Sequence, residues 1–251
     1  MSAPAWLPAP EHELLLRAAL LDGDAAGDAW RRWQAAHSDG HLDVGSFRLL
    51  PLVYRNLSAQ GGDHVWLGRL KGVYRRSWVL NQELFARSAP VVARLDAAGI
   101  PTLLLKGAGL ALAHYRDAGA RPMDDLDVAV PLADAPAAIG QLRAAGLEPR
   151  RPLTGDLVGL SHAETFADAG ERAIDLHWDL LRWAGRDEAI WDDAVPVDLR
   201  GVATRAPSAT DQVLLVAAHA AYWNAWIHPV RWVADLHVLL RSPIDWPRLE
   251  R

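Results

Sequence analysis

The sequence predicts an α+β protein: a small mixed β-sheet with helices, flanked by an N-terminal and a C-terminal helical region. Helical periodicity holds from about residue 10 to 98, gives way to short apolar or alternating runs between 100 and 180, and returns after Pro207. The corresponding segments are 1–98, 99–206 and 207–251. A chain of 251 residues, 51% hydrophobic and 23% charged, can bury a continuous core, which excludes disordered, collagen-like and low-complexity classes.

The first helix is read from Pro10, with Glu11 and Glu13 in its first turn ahead of Leu14, Leu15 and Leu16. Trp30 and Trp33 follow at i, i+3, and Phe47, Leu50, Tyr54 and Leu57 share one face of a later helix. Leu67, Leu70, Tyr74, Trp78 and Phe85 define a long helix that Pro90 is expected to kink or break, with Gly99 at its C′ position.

The period then changes. Residues 100–105, IPTLLL, read as a buried strand; Lys106-Gly107-Ala108-Gly109 is a turn, and a short helix through Tyr115 follows. Residues 125–130, DLDVAV, alternate polar and apolar, as a strand with one acidic face does. A helix over 132–145 ends at Gly146, and 171–180 form a third strand. A Pro/Gly-spaced stretch runs to Pro207, Ser208-x-x-Asp211 resembles a capping box, and Pro229 opens a last helix.

Composition narrows the function. With no cysteine, disulfides, thiolate zinc sites and cysteine nucleophiles are excluded. A net charge of −5 argues against duplex nucleic acid as the main partner. No window approaches the roughly 18 uncharged apolar residues of a membrane span, and Glu11 and His12 stand where a signal peptide would be apolar, so a cytoplasmic location is expected. Only Lys71 and Lys106 among the 26 basic residues are lysines, so the place of each is informative.

The chemistry concentrates in the middle segment. Asp125 and Asp127, at i, i+2 on an expected strand, project from one face about 6 to 7 Å apart. Such anions repel unless a cation lies between them, and with oxygen ligands alone the natural cation is Mg²⁺. Asp175, on another expected strand, offers a third carboxylate, and three carboxylates can hold two metals. The Lys106–Gly109 turn lets backbone approach a phosphate closely, although it lacks Walker A spacing.

Leu105-Lys106-Gly107, Tyr115 and Arg121-Pro122-Met123-Asp124-Asp125-Leu126-Asp127-Val128 resemble the signature of an uncharacterised bacterial nucleotidyltransferase family of the DNA polymerase β-like superfamily. The resemblance extends to Asp175-Leu176-His177-Trp178, His219 and Arg231-Trp232-x-x-Asp235, covering about residues 90–241. It implies a nucleotidyltransferase fold in which Asp125, Asp127 and Asp175 bind two Mg²⁺ and are catalytic. It also implies a nucleoside triphosphate substrate, ATP in the first instance, held at Gly107 and its neighbours Lys106 and Ala108. The turn departs from the superfamily pattern, with Ala108 where many members have Ser and Lys106 ahead of the glycine.

The remaining candidates carry two readings each. Lys106 is either a phosphate ligand or a strand-end lysine reaching solvent, and Arg121 either a triphosphate ligand or a surface partner of Asp124 or Asp117. His177, i+2 from Asp175, either packs or orients a carboxylate beside the nucleotide; His219 is a further nucleotide-binding candidate. Asp235 is a site residue or an i, i+4 partner of Arg231. Asp124 is placed in a loop, on the face opposite Asp125. Trp223, Trp226 and Trp232 either stack a base or pack helices. The expected reaction moves a nucleoside monophosphate to the hydroxyl or phosphate of an unidentified acceptor: a small molecule, a peptide or an RNA end. Alternatives are a toxin-like transferase using Arg75, Arg76, Arg150 and Arg151 on RNA, and a silent binding module of the same fold.

Overall fold

The computed structural model describes residues 8–37, 42–61, 65–151, 157–169, 173–181, 187–221 and 230–250. Four helices lead: α1 (Pro10–Leu20), α2 (Gly23–Ala36), α3 (Val44–Gln60) and α4 (Leu67–Ala97). Pro10 opens α1 with Glu11 and Glu13 in the first turn, and the Asp43 side chain caps α3 by accepting from the Ser46 amide. Trp30 and Trp33 stack at 5.1 Å and are fully buried. Phe47 and Trp78, placed on apolar stripes by their spacing, are exposed.

Pro90 does not end α4, which continues to Ala97. Phe85, Ala89, Val91, Val92 and Leu95 all bury in one core across that point. Their burial outweighs the roughly 3 kcal/mol that an interior proline costs. Gly99 follows the helix with φ +73°, as expected of a C′ glycine.

Among the described residues the sheet has seven strands, four more than the sequence predicts. They are β1 (Leu103–Leu104), β2 (Leu126–Ala129), β3 (Glu148–Pro149), β4 (Ala163–Ala167), β5 (Ala173–His177), β6 (Val195–Leu199) and β7 (Val202–Ala206), in the order β3-β4-β5-β2-β1-β7-β6. The predicted strands over 100–105, 125–130 and 171–180 are present but shorter, and Asp125 falls just before its strand. β6 and β7 form a hairpin inside the stretch read as Pro/Gly-spaced, turning at Arg200 and Gly201, whose φ values are +54° and +87°. Pro196 is tolerated because β6 is an edge strand.

Short helices complete the core: α5 (Lys106–Gly109), which runs into a π-helical turn at Leu110–Tyr115, α6 (Ala135–Ala144), α7 (Leu157–Leu160) and α8 (Asp187–Asp192). α9 (Ala209–His219), α10 (Arg231–Leu239) and α11 (Trp246–Leu249) follow. Ser208 caps α9 through the Asp211 amide, as its spacing predicts, whereas Pro229, Trp223 and Trp226 lie outside the described residues.

Strand alternation places the chemistry. Leu126, Val128, Ile174 and Leu176 enter one core beneath α4 and α6, so Asp127, Asp175 and His177 face the opposite side of β2 and β5. A second core joins α1, α2, α3, the start of α4, the π-helical turn, α9 and α10. None of the helices among the described residues is long and apolar enough to cross a membrane.

Candidate active site

β2 and β5 run parallel with Asp127 directly opposite Asp175, which brings two carboxylates from positions 48 residues apart onto one face. Asp125 joins them from the bend before β2. All three line a cleft of about 320 Å³, together with Lys106, Gly107, Arg121 and His219. Ala108 and His177 do not line it: Ala108 is buried behind the turn, and His177 lies beneath Asp127, its Nε2 2.9 Å from Asp127 Oδ1.

The turn after β1 is built for close approach. Lys106 holds a left-handed φ of +39°, an unfavoured conformation for a side-chain-bearing residue, and its Nζ donates to Asp127 Oδ1 at 2.7 Å. A Cβ on Gly107 would lie 2.8 Å from Met123 Cγ and Sδ and 3.1 Å from Arg121 Nη1. A Cβ on Gly109 would lie 2.1 Å from the Leu104 carbonyl oxygen, so the strand-to-helix step requires glycine there.

Three corrections concern charge partners. Arg121 is not a surface residue: it is buried, with Nε and Nη2 each 2.9 Å from an Asp235 oxygen. Asp235 accordingly pairs with Arg121 and accepts from Tyr115 Oη at 2.8 Å, and its partner is not Arg231. Asp124, expected to stand apart from the acidic face, lines the cleft and pairs with Arg48 of α3. Asn81 of α4 fixes the intervening loop, donating to the Ala118 and Arg121 carbonyls and accepting from the Met123 amide. Arg48, Arg231 and Trp232 also line the cleft, whereas Arg75, Arg76, Arg150 and Arg151 do not.

Both signs of charge line the cleft: Asp125, Asp127 and Asp175 with the ammonium of Lys106, and the guanidinium groups of Arg48, Arg121 and Arg231 with Asp124 and Asp235. Burial works against the Asp127 carboxylate, yet the hydrogen bond from His177 and the charge of Lys106 outweigh it and hold its pKa well below the usual carboxylate range. Withdrawal from bulk water, then the charges on Asp127 and Asp175, push Asp125 up to about 6, even though its surface reaches solvent. Burial, then Lys106, lowers His219 to about 4, leaving a neutral imidazole at pH 7. Burial, then Arg121, lowers Arg231 to about 10.

Three oxygen-donor carboxylates with more negative charge than Lys106 offsets suit a hard divalent cation in charge and atom type. Among the described residues no three acidic or histidine side chains form a ready-made cage, and Lys106 holds the Asp127 oxygen.

Asp125 also has a stability consequence. Below about pH 6 the folded chain keeps a proton on this group that the unfolded chain releases at its ordinary value of 3.8, so ionisation above pH 6 works against folding. Asp125→Asn is expected to raise the melting temperature of the metal-free protein at about pH 8, the gain disappearing below about pH 4. Thermal melts across that range check it.

Among solved structures, the chain is similar to the antibiotic-resistance factor ANT(2'')-Ia in solution, with 17% identity over 68% of this chain and 96% of that one and a TM-score of 0.42. It is also similar to the lincosamide antibiotic adenylyltransferase LnuA bound to lincomycin, with 10% identity, coverage of 62% and 95%, and a TM-score of 0.42. A third similar structure is an antigenic nucleotidyltransferase-like protein from Paracoccidioides brasiliensis, with 13% identity, coverage of 63% and 76%, and a TM-score of 0.43. No curated protein matches the sequence. The family described as uncharacterised nucleotidyltransferase matches residues 46–251, a span that takes in Arg48, the glycine turn, the three carboxylates and Asp235. The chain therefore belongs to this nucleotidyltransferase family.

Proposed function

We propose that the cleft transfers a nucleoside monophosphate from a nucleoside triphosphate, ATP being the first to test, to an acceptor hydroxyl or phosphate, with Mg²⁺ held by Asp125, Asp127 and Asp175. The observation that carries this reading is the parallel register of Asp127 with Asp175, beside Asp125, in one cleft that Lys106, Arg48 and Arg231 also line. Bound there, Mg²⁺ neutralises charge on the phosphates and orients the acceptor oxygen.

The chain's own residues do the rest by position and charge. Gly107 lines the cleft beside the α-phosphate, and Lys106, released from Asp127, offers an ammonium to it. His177 keeps Asp127 oriented from beneath. The acceptor oxygen attacks the α-phosphorus while the bond to the β-phosphate oxygen breaks and pyrophosphate leaves. When the acceptor is a hydroxyl, its proton passes to Asp175, which is half-buried beside the pair. The segments 1–98, 99–206 and 207–251 then act as a helical layer, a catalytic core and a helical cover.

The test is thermal shift with each of the four nucleoside triphosphates, with and without Mg²⁺, followed by transfer of α-labelled nucleotide to small alcohols, peptides and RNA ends. Metal-dependent stabilisation of about 2.7 kcal/mol is expected at a hundredfold excess over Kd, on the order of 5 to 10 °C. It should be lost in Asp125→Ala/Asp127→Ala. Absence of both stabilisation and labelled product with every nucleotide would overturn the proposal.

A further inference from the structure

Two guanidinium groups in the cleft have no buried carboxylate partner among the described residues. Arg121 has one: both Asp235 oxygens bond it, and Tyr115 shares one of them. Arg231 lines the same cleft and forms no ion pair among the described residues; its Nη1 reaches only the Pro122 carbonyl, at 3.4 Å. Arg48 projects from α3, and its carboxylate partner is Asp124, whose side chain is 73% exposed against 19% for Arg48. An ion pair with one partner so open to water contributes little and exchanges readily.

Of the three arginines lining the cleft, Arg121 is paired with buried Asp235 and Arg48 with exposed Asp124, which leaves Arg231 without a carboxylate partner among the described residues and frees Arg48 as well when Asp124 turns away. Burial beside Arg121 makes the Arg231 charge costly to keep without an anion, in agreement with its lowered pKa. A flexible polyanion that spans two separate guanidinium groups is the chemistry that answers this arrangement.

We propose that Arg48 and Arg231 hold the polyphosphate tail of the nucleotide, and that the Asp124 carboxylate occupies Arg48 until that tail arrives. This rests on the nucleotidyl-transfer reading of the cleft. The leaving pyrophosphate is thereby released between a helix of the N-terminal region and one of the C-terminal region. Asp125, Asp127 and Asp175 are left to the α-phosphate and the acceptor.

The probe is inorganic tripolyphosphate without metal, its binding measured by calorimetry. Wild type is expected to bind it, Arg48→Gln and Arg231→Gln each at least about tenfold more weakly. Asp124→Asn, which removes the competing carboxylate, should bind it several-fold more tightly. Arg231→Lys serves where Arg231→Gln does not fold, and Arg75→Gln on the exposed side of α4 is the unaffected control. Unchanged tripolyphosphate affinity in both arginine variants would overturn the proposal, as would unchanged or weaker binding in Asp124→Asn. Wild-type turnover of nucleotide alongside those unchanged affinities would leave the transfer reading standing. Conversely, arginine-dependent tripolyphosphate binding without any turnover would remove the transfer reading while the anion site remained.

Discussion

Asp127→Asn is expected to lower nucleotidyl transfer by about 10³-fold or more, about 4 kcal/mol of transition-state stabilisation. The substitution keeps shape and volume, so what changes is charge at a carboxylate that is almost wholly buried. Asp127 Oδ1 receives both the Lys106 ammonium at 2.7 Å and the His177 ring nitrogen at 2.9 Å. An amide oxygen retains only part of that interaction and binds a divalent cation poorly. Single-turnover assays with α-labelled nucleotide measure the effect, and undiminished turnover would remove Asp127 from the chemistry.

The same variant has a stability signature with a definite sign. The Asp127 pKa is held far below its ordinary value in the folded chain, so its contribution is fully present above the unfolded carboxylate value near 3.8 and is lost as pH falls through the folded value. Wild type should therefore exceed Asp127→Asn in urea resistance at pH 7 and lose that advantage progressively in acid. The direction is opposite to that at Asp125, two residues away, because Asp127 is held by the His177 hydrogen bond and the Lys106 charge, whereas Asp125 is withdrawn from water and then meets mainly negative charge.

Asp235→Ala is expected to cost about 3 to 5 kcal/mol of stability, since removing one member of a buried ion pair leaves the other uncompensated. Arg121 is 6% exposed and Asp235 3%, and the variant also strips Tyr115 of its acceptor. For a chain of this size the melting temperature should fall by about 10 °C. Asp235→Asn, which preserves an acceptor, should lose less. Pairing Asp235→Leu with Arg121→Met should recover much of the loss, because the cost lies in the orphaned charge. Urea denaturation of wild type, Asp235→Leu, Arg121→Met and their double variant measures the coupling, and a near-neutral Asp235→Ala would contradict a buried, committed pair.

What the sequence displays of this site is what local pattern can display. The alternation in DLDVAV put Asp125 and Asp127 together because side chains on extended backbone repeat every second residue, and apolar neighbours of Asp175 identified its face in the same way. The glycine turn was legible because only glycine survives a carbonyl 2.1 Å from a Cβ position, as at Gly109. Partners distant in sequence were not legible. Arg48 is an unremarkable helical arginine until folding brings it to Asp124, 76 positions away, and Asp235 has a local arginine at i−4 but bonds one 114 positions upstream. The β6–β7 hairpin was hidden by Pro196, whose missing amide matters only on an interior strand. The break that Pro90 could impose does not occur, because tertiary burial around α4 overrides a local penalty.

The strand order also governs when the cleft comes into being during synthesis. β1 pairs with β2 on one edge, but its other neighbour is β7, with Leu103 opposite Arg205, so the sheet's centre stays open on one side until about a hundred further residues have left the ribosome. His219, Arg231 and Asp235 arrive later still. Until Asp235 emerges, the Arg121 guanidinium has no buried carboxylate to meet, so the nascent protein has reason to keep this region hydrated. The cleft residues contributed by α9 and α10 are thus the last of it to be synthesised, after the strands that carry Asp127 and Asp175.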